Sequence, residues 1–368
     1  AIDACLVGSE MCIRDSVAHR VDAPRHRGAS RCVADSSDLN LNSSRHIATP
    51  RAMKFRATLG DVGARWLDRF APVFDRLGGE ATLLLTPTTV RVVQSSRVAD
   101  GVAAHADFRV DEVFERCRIS SACDDKIAVK LEPSALAGTV RGMIALEATR
   151  AECRLIKRRR SAASASAPCV NFKTTEASVE VERDVPVVGP LRGEEVRACE
   201  AAVEASVRDV GYWLECDRFA LESLRECVER FARVSDVVEV TTTRQGALYM
   251  NASGGSVRAL GMEYRGLRVL PEEADEYDEG APEAGGVAAR LAEIKSAAIG
   301  TSVTLSVKHL QRGFLGCASH PSTLLLGISH NANFFELVFR YGAQTEREGD
   351  SVGFMVRIPV VDAADGIE

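Results

Sequence analysis

From Met53 onward the apolar residues fall into short runs whose period switches between two and about 3.6, so strands and helices alternate along the chain. Met53–Leu59 predicts a strand, and Val62–Leu77 a helix with Trp66, Phe70, Val73 and Leu77 on one face. Two β-rich runs follow, Ala81–Thr86 and Thr89–Gln94, separated by the turn signal Thr86-Pro87. The same order then recurs. It returns at Lys126–Leu131, with a helix over Pro133–Ala148 and a strand over Cys153–Lys157. It returns at Val210–Leu214, with a helix over Asp217–Val234 and the hairpin Val237–Thr243 to Ala247–Asn251. The last copy is Ser302–Val307, a short helix Lys308–Gly316, and strands Thr323–Ser329 and Phe334–Tyr341.

Alternation is strict near the C-terminus: Val303, Leu305 and Val307 against Ser302, Thr304 and Ser306, then Val352, Phe354, Val356, Ile358 and Val360. Period two gives a sheet with one dry and one wet face. Each helix carries one apolar stripe with which to cover a dry face. The chain therefore reads as α+β, with four strand-helix-strand-strand units paired into two similar domains, 53–184 and 207–368. Between them, 185–206 holds Pro186, Gly189, Pro190 and Gly193 followed by charged residues, and reads as a connector. Inside the second domain, 271–286 carries seven acidic residues and no base, the composition of a disordered acidic insertion. Pro72 removes a backbone hydrogen bond from the first helix and is expected to kink or restart it. Residues 1–52 are rich in Arg, Ser, Asp and His and lack apolar periodicity. They are read as a non-native or disordered leader, an artefact of sequencing and translation, with Met53 as the expected start.

The totals narrow the class. At 368 residues, 46% apolar and 27% charged, the chain has material for two cores. No run approaches the roughly 18 apolar residues of a membrane span. A net charge of −6 argues against holding nucleic acid by bulk attraction, though not against encircling it. Eleven cysteines, scattered and never in CxxC, read as reduced thiols rather than as a disulfide framework or zinc site. No phosphate-binding loop, dinucleotide fingerprint, HExxH or GxSxG occurs. His309, His320 and His330 sit in separate elements, and Asp124-Asp125 reads as a turn. No catalytic residue, metal ligand or cofactor is assigned. An uncharacterised α+β enzyme stays as a remote alternative that would need a concave site of convergent polar groups.

Met53-Lys54-Phe55-Arg56-Ala57 is followed in order by LLLTPTTVRVV, by ERDVPVV at Glu182–Val188, by VTLSVKHL at Val303–Leu310 and by FMVRIPVVD at Phe354–Asp362. From Met53 to about Asp362 this order resembles the Hus-one family of checkpoint clamp proteins. The resemblance implies the fold of the replicative sliding clamp, proliferating cell nuclear antigen, with two domains per subunit and helices lining a central hole. It further implies a nuclear, non-enzymatic subunit of the heterotrimeric nine-one-one ring, with Rad-nine-like and Rad-one-like partners. A clamp loader would place that ring on double-stranded or junction DNA, encircled without sequence specificity. There it would signal a DNA damage checkpoint and scaffold repair enzymes; no membrane contact is implied. The near alternative is a homotrimeric replicative processivity clamp, distinguished by whether the chain assembles alone.

A clamp meets phosphates with basic side chains on the helix faces that look into the hole. On the first helix Arg65, Arg69 and Arg76 fall in one narrow sector beside the apolar stripe. The second offers Arg141, the third Arg218 and Arg225 diluted by Glu222 and Glu229, and the last Lys308 and Arg312. Lys157, Arg158, Arg159 and Arg160 form the densest basic run, followed by SAASASAP; it reads as a solvated hairpin tip, a nuclear-import signal or a phosphate contact. Clamp subunits join through unpaired strand edges. By resemblance these are Ala177–Arg183, with Ser178, Val179 and Val181 at the contact, and Ser256–Tyr264, with Val257, Ala259 and Gly261.

Overall fold

In the computed structural model β1 (Lys54–Gly60) buries Phe55, Ala57 and Leu59 and turns Lys54 and Arg56 outward, the alternation its sequence carries. α1 (Asp61–Leu77) follows at once and buries Leu67, Phe70, Val73, Phe74 and Leu77. It runs through Pro72 as one helix, so the expected restart does not occur. It stops where Gly78 takes a φ of 87°, a backbone region that side chains disfavour. The structure describes residues 53–97, 101–148, 150–159, 166–176, 179–254, 258–271, 287–296, 299–342 and 353–361. The leader 1–52 and almost all of the acidic stretch 271–286 lie outside them.

The first unit continues with β2 (Ala81–Leu85), β3 (Thr89–Gln94), β4 (Ala103–Arg109), one helical turn α2 (Val110–Val113) and β5 (Phe114–Ser120). The second is β6 (Ile127–Leu131), α3 (Pro133–Ile144), β7 (Arg150–Arg159), β8 (Ser166–Glu176) and β9 (Val179–Val188). α4 (Gly193–Arg208) occupies the stretch that reads as a connector, and the Glu195 carboxylate accepts from the Arg192 N–H at 2.9 Å at its start. The third unit is β10 (Trp213–Cys216), α5 (Arg218–Phe231), β11 (Val237–Thr243), β12 (Leu248–Gly254) and β13 (Arg258–Tyr264), with β14 (Arg268–Leu270) and α6 (Val287–Ser296) after it. The fourth is β15 (Gly300–Ser306), α7 (Val307–Gly313) extended by a 3-10 turn at Phe314–Ser319, then β16 (Thr323–Ile328), β17 (Phe334–Arg340) and β18 (Gly353–Pro359).

The strands pair antiparallel. One sheet of fourteen strands runs β5-β1-β7-β8-β9-β6-β2-β3-β4-β18-β17-β16-β10-β14. Its two parts join where Lys130 and Leu131 of β6 pair with Val188 and Val187 of β9. A second sheet runs β13-β12-β11-β15. The larger sheet crosses from the first unit to the last, because β4 pairs with β18 from Asp107↔Gly353 to Ala103↔Arg357. α1 packs beside α3 and α5 beside α7, and their buried stripes join the strands in one continuous core. Aromatic rings tie the ends of the chain together there. Phe70 lies 5.2 Å from Phe108 and 5.0 Å from Tyr341, both edge-on, and Phe74 meets Phe354 edge-on at 5.4 Å. That arrangement is the one the ring quadrupoles favour.

Candidate nucleic-acid interface and assembly edges

α1 turns Arg65, Arg69 and Arg76 to solvent, each with different neighbours. Arg65 pairs with Asp61 one turn earlier at 2.9 Å. Arg69 lies 4.8 Å above the Trp66 ring and 5.9 Å from Tyr341, a cation–π contact that lays the guanidinium along the helix. Arg76 shares a shallow cleft of about 190 Å³ with Arg225 of α5 and with Gln311 and Phe314. Arg141 of α3 reaches Asp68 of α1 at 3.3 Å, while Arg218 and Arg225 pair within α5 with Glu222 at 3.4 Å and Glu229 at 3.6 Å. Exposed pairs of this kind hold a side chain weakly, so these guanidiniums can exchange a carboxylate for a phosphate.

The two basic residues of α7 part company. Lys308 is exposed, whereas Arg312 is half-buried and donates to the carbonyl of Leu77, the last residue of α1. A helix end presents unpaired carbonyls and partial negative charge, which a guanidinium satisfies. Gln94 serves the same end, its Nε2 donating to the carbonyls of Phe74 at 3.2 Å and Gly78 at 2.6 Å. The structure thus gathers Arg76 and Arg225 in one cleft and directs Arg312 to a structural contact. In the basic run, Lys157 and Arg159 are exposed at the end of β7, and Arg158 binds Glu182 and, at 2.9 Å, Asp184. Arg160 lies outside the described residues.

β9 pairs with β8 from Val179↔Glu176 to Pro186↔Cys169, and only Val187 and Val188 also meet β6. Over the rest of its length its second side has no strand partner among the described residues. Among the described residues β13 ends its sheet, with β12 as its strand neighbour. Val179 and Val181 lie on β9, and Ala259 and Gly261 on β13; Ser178 and Val257 fall outside the described residues. Other strands also end sheets. β14 is only three residues long, and β15 is covered in part by Val360 and Val361, whose N–H donates to the Thr304 carbonyl at 2.9 Å. Among the described residues β5, β13 and the short β14 end their sheets on an open side, and β9 is open over all but its last two residues.

Sequence reasoning passed over a groove of about 610 Å³ lined by residues of β2, β3, β4, β6, β17, β18 and α4. Within it Glu336 is 0% exposed, and its Oε1 stands 3.6 Å from Arg357 Nε, too far for a hydrogen bond. Both Glu336 oxygens, and Nε and Nη2 of Arg357, are buried with no hydrogen-bond partner among the described residues. Arg357 instead lies 3.8 Å above the Phe334 ring. Burial pushes the Glu336 carboxyl up to about 7 against the pull of Arg357. Burial, then Arg91 and Arg357, hold His105 down to about 4. The signal was a charge inside an apolar alternation, Glu336 in FFELVFR and Arg357 in GFMVRIP. Among the described residues no group of three His, Cys, Asp or Glu is placed to hold a metal.

A family model described as Hus1-like protein matches residues 53–351. No curated protein sequence matches the chain. Among solved structures, the crystal structure of Proliferating Cellular Nuclear Antigen from Entamoeba histolytica superimposes with a TM-score of 0.51, covering 84% of this chain and 100% of that one at 10% identity. At that identity the likeness shows the fold, a sliding-clamp arrangement of helices and antiparallel sheets, as the order of motifs implied.

Proposed function

The chain belongs to the Hus1-like family, and from that premise we propose that this clamp subunit joins two different subunits in a checkpoint ring closed around DNA. The observation that supports the reading is a clamp fold in which, among the described residues, β13 ends its sheet and β9 has a second strand neighbour only at Val187 and Val188. A free strand edge is a template for another strand, so each edge would take one neighbour and three subunits would close a ring. The neighbours would be Rad-nine-like and Rad-one-like subunits, and the two clamp domains 53–184 and 207–368, joined through 185–206, would each present one edge. Exposed arginines on α1 and α5, with Lys308, would meet phosphates without reading bases. Held by topology, such a ring needs little net attraction, which suits a chain of net charge −6. A clamp loader would place the ring on double-stranded or junction DNA in the nucleus, where it would scaffold checkpoint signalling and repair enzymes. No step of this function is catalytic.

Co-expression with the two partner subunits, followed by size-exclusion chromatography with mass determination, tests the reading. One copy of each subunit in a single trimeric peak is expected. Trimers formed by the chain alone would instead make it a homotrimeric processivity clamp.

A further inference from the structure

We propose that β5 accepts an added strand from an extended peptide in which acidic and apolar residues alternate, the acidic ones meeting Arg116 and Arg118. Among the described residues β5 ends its sheet, with β1 as its strand neighbour. Its far side offers a row of backbone donors and acceptors, which is what a strand of another chain pairs with. The side chains of β5 set the chemistry of that strand. Arg116 and Arg118 stand exposed on the face turned away from the core, opposite Thr58 and Arg56. Cys117 and Ile119 point the other way, half-buried against the main core opposite Ala57 and Phe55. A strand laid beside β5 repeats the period of two, so alternate side chains fall among the guanidiniums and the others beside an apolar margin.

The exposed face is more basic than protection of an edge requires. Arg118 lies opposite Arg56 on β1, and Arg56 lies opposite Arg154 on β7, so three arginines follow one another across three strands. Like charges directly opposite destabilise a sheet, whereas charge on the edge strand alone keeps a second copy from pairing with it. Glu152 pairs with Arg56 at 3.4 Å and also with Arg154, and Glu115 pairs with Arg150 at 2.9 Å. Arg116 and Arg118 have no carboxylate partner among the described residues. An acidic side chain brought to β5 supplies the counter-charge that the row lacks. Phosphates of a nucleic acid would answer the charge alone; the open backbone edge beside it is what singles out a peptide.

The test adds a dye-labelled peptide of alternating Glu and Val, about eight residues long, to the full chain and follows fluorescence anisotropy and amide exchange. The peptide should bind, more weakly as salt rises, and protect β5 amides. Those of β9, an edge that carries Glu180 and Glu182, should be unchanged. Arg116→Glu together with Arg118→Glu should weaken binding by about tenfold or more. Arg118→Gln alone removes the charge opposite Arg56 and should bind less tightly while melting no lower than wild type. Methyl groups on the peptide nitrogens that face β5 remove its donors and should abolish binding. If the methylated peptide binds equally well, charge alone holds it and strand addition is overturned. It is overturned too if the arginine variants bind like wild type or if the peptide leaves β5 exchange unchanged. A single-stranded oligonucleotide of equal charge that binds the same arginines more tightly would make this a nucleic-acid surface instead. Neither ring edge involves β5, so the isolated chain suffices and the result is independent of ring assembly.

Discussion

Lys308 and Arg312 lie one turn apart on α7, and what separates them is burial, Lys308 being exposed and Arg312 half-buried. Arg312 donates to the Leu77 carbonyl across 235 residues of sequence, a partner that helical spacing cannot reveal. Removing a charged donor from a helix end typically costs about 1–2 kcal/mol. Arg312→Ala should therefore lower thermal stability by that amount, while Lys308→Ala should stay within about 0.5 kcal/mol of wild type. Equal effects in calorimetry would remove the structural role of Arg312. Glu336 offers a second residue-level check. Its folded carboxyl, near 7, lies above its ordinary 4.5, so folding favours the protonated form. That contribution is full below 4.5 and is lost as pH rises through about 7. His105 runs oppositely: held near 4 against an ordinary 6.5, it gives stability above 6.5 that is lost as pH falls toward 4. Glu336→Gln removes only the first effect. The melting temperature of that variant relative to wild type should climb from pH 5 to pH 8, and a flat difference would show the carboxyl to be unperturbed.

At the scale of elements, legibility followed local contrast. β16, β17 and β18 read directly because large apolar residues alternate or run together there. β4 did not, because its buried positions are Ala104, Ala106 and Phe108, too small on average to stand out from loop composition. α4 was hidden for a related reason: it follows Pro190, begins at Gly193 and, among its described side chains, buries Val196 and Val203 alone, so its stripe is thin. Strand edges have no compositional mark at all, since an edge is defined by a neighbour that is missing. Their position came from the family resemblance, and the pairing of β9 and β13 with one long neighbour each makes it testable. Proline at Val179 or at Leu260 removes an edge donor or bends the strand. Each variant should fold as a monomer with a melting temperature within a few degrees of wild type, yet fail to co-elute with the partner subunits. Trimers that survive both substitutions would remove these edges from the interface.

For the whole molecule, the continuous core matters because it holds α1, α3, α5 and α7 against the sheets as a single unit. Basic side chains from far-apart segments are thereby brought together, as Arg76 and Arg225 are in their shared cleft. The chain as a whole carries −6, so any attraction to DNA has to come from this local arrangement and not from the total. Contacts of that kind are to phosphates, and each one lost should reduce the slope of log affinity against log salt by about 0.9. Glutamate at Arg65, Arg76, Arg225 and Lys308 tests this in the reconstituted ring, because the isolated chain has no topological hold on DNA. Arg312 is left in place, since it caps α1, and Arg69 because it stacks on Trp66. All four substitutions sit on helices, away from the strand edges of β9 and β13, so the ring should still assemble. Binding to junction DNA should weaken, with a shallower salt slope and no change in sequence preference. Should the quadruple variant bind as tightly as wild type with the same slope, these side chains are ordinary surface charge, and encirclement alone would hold the DNA.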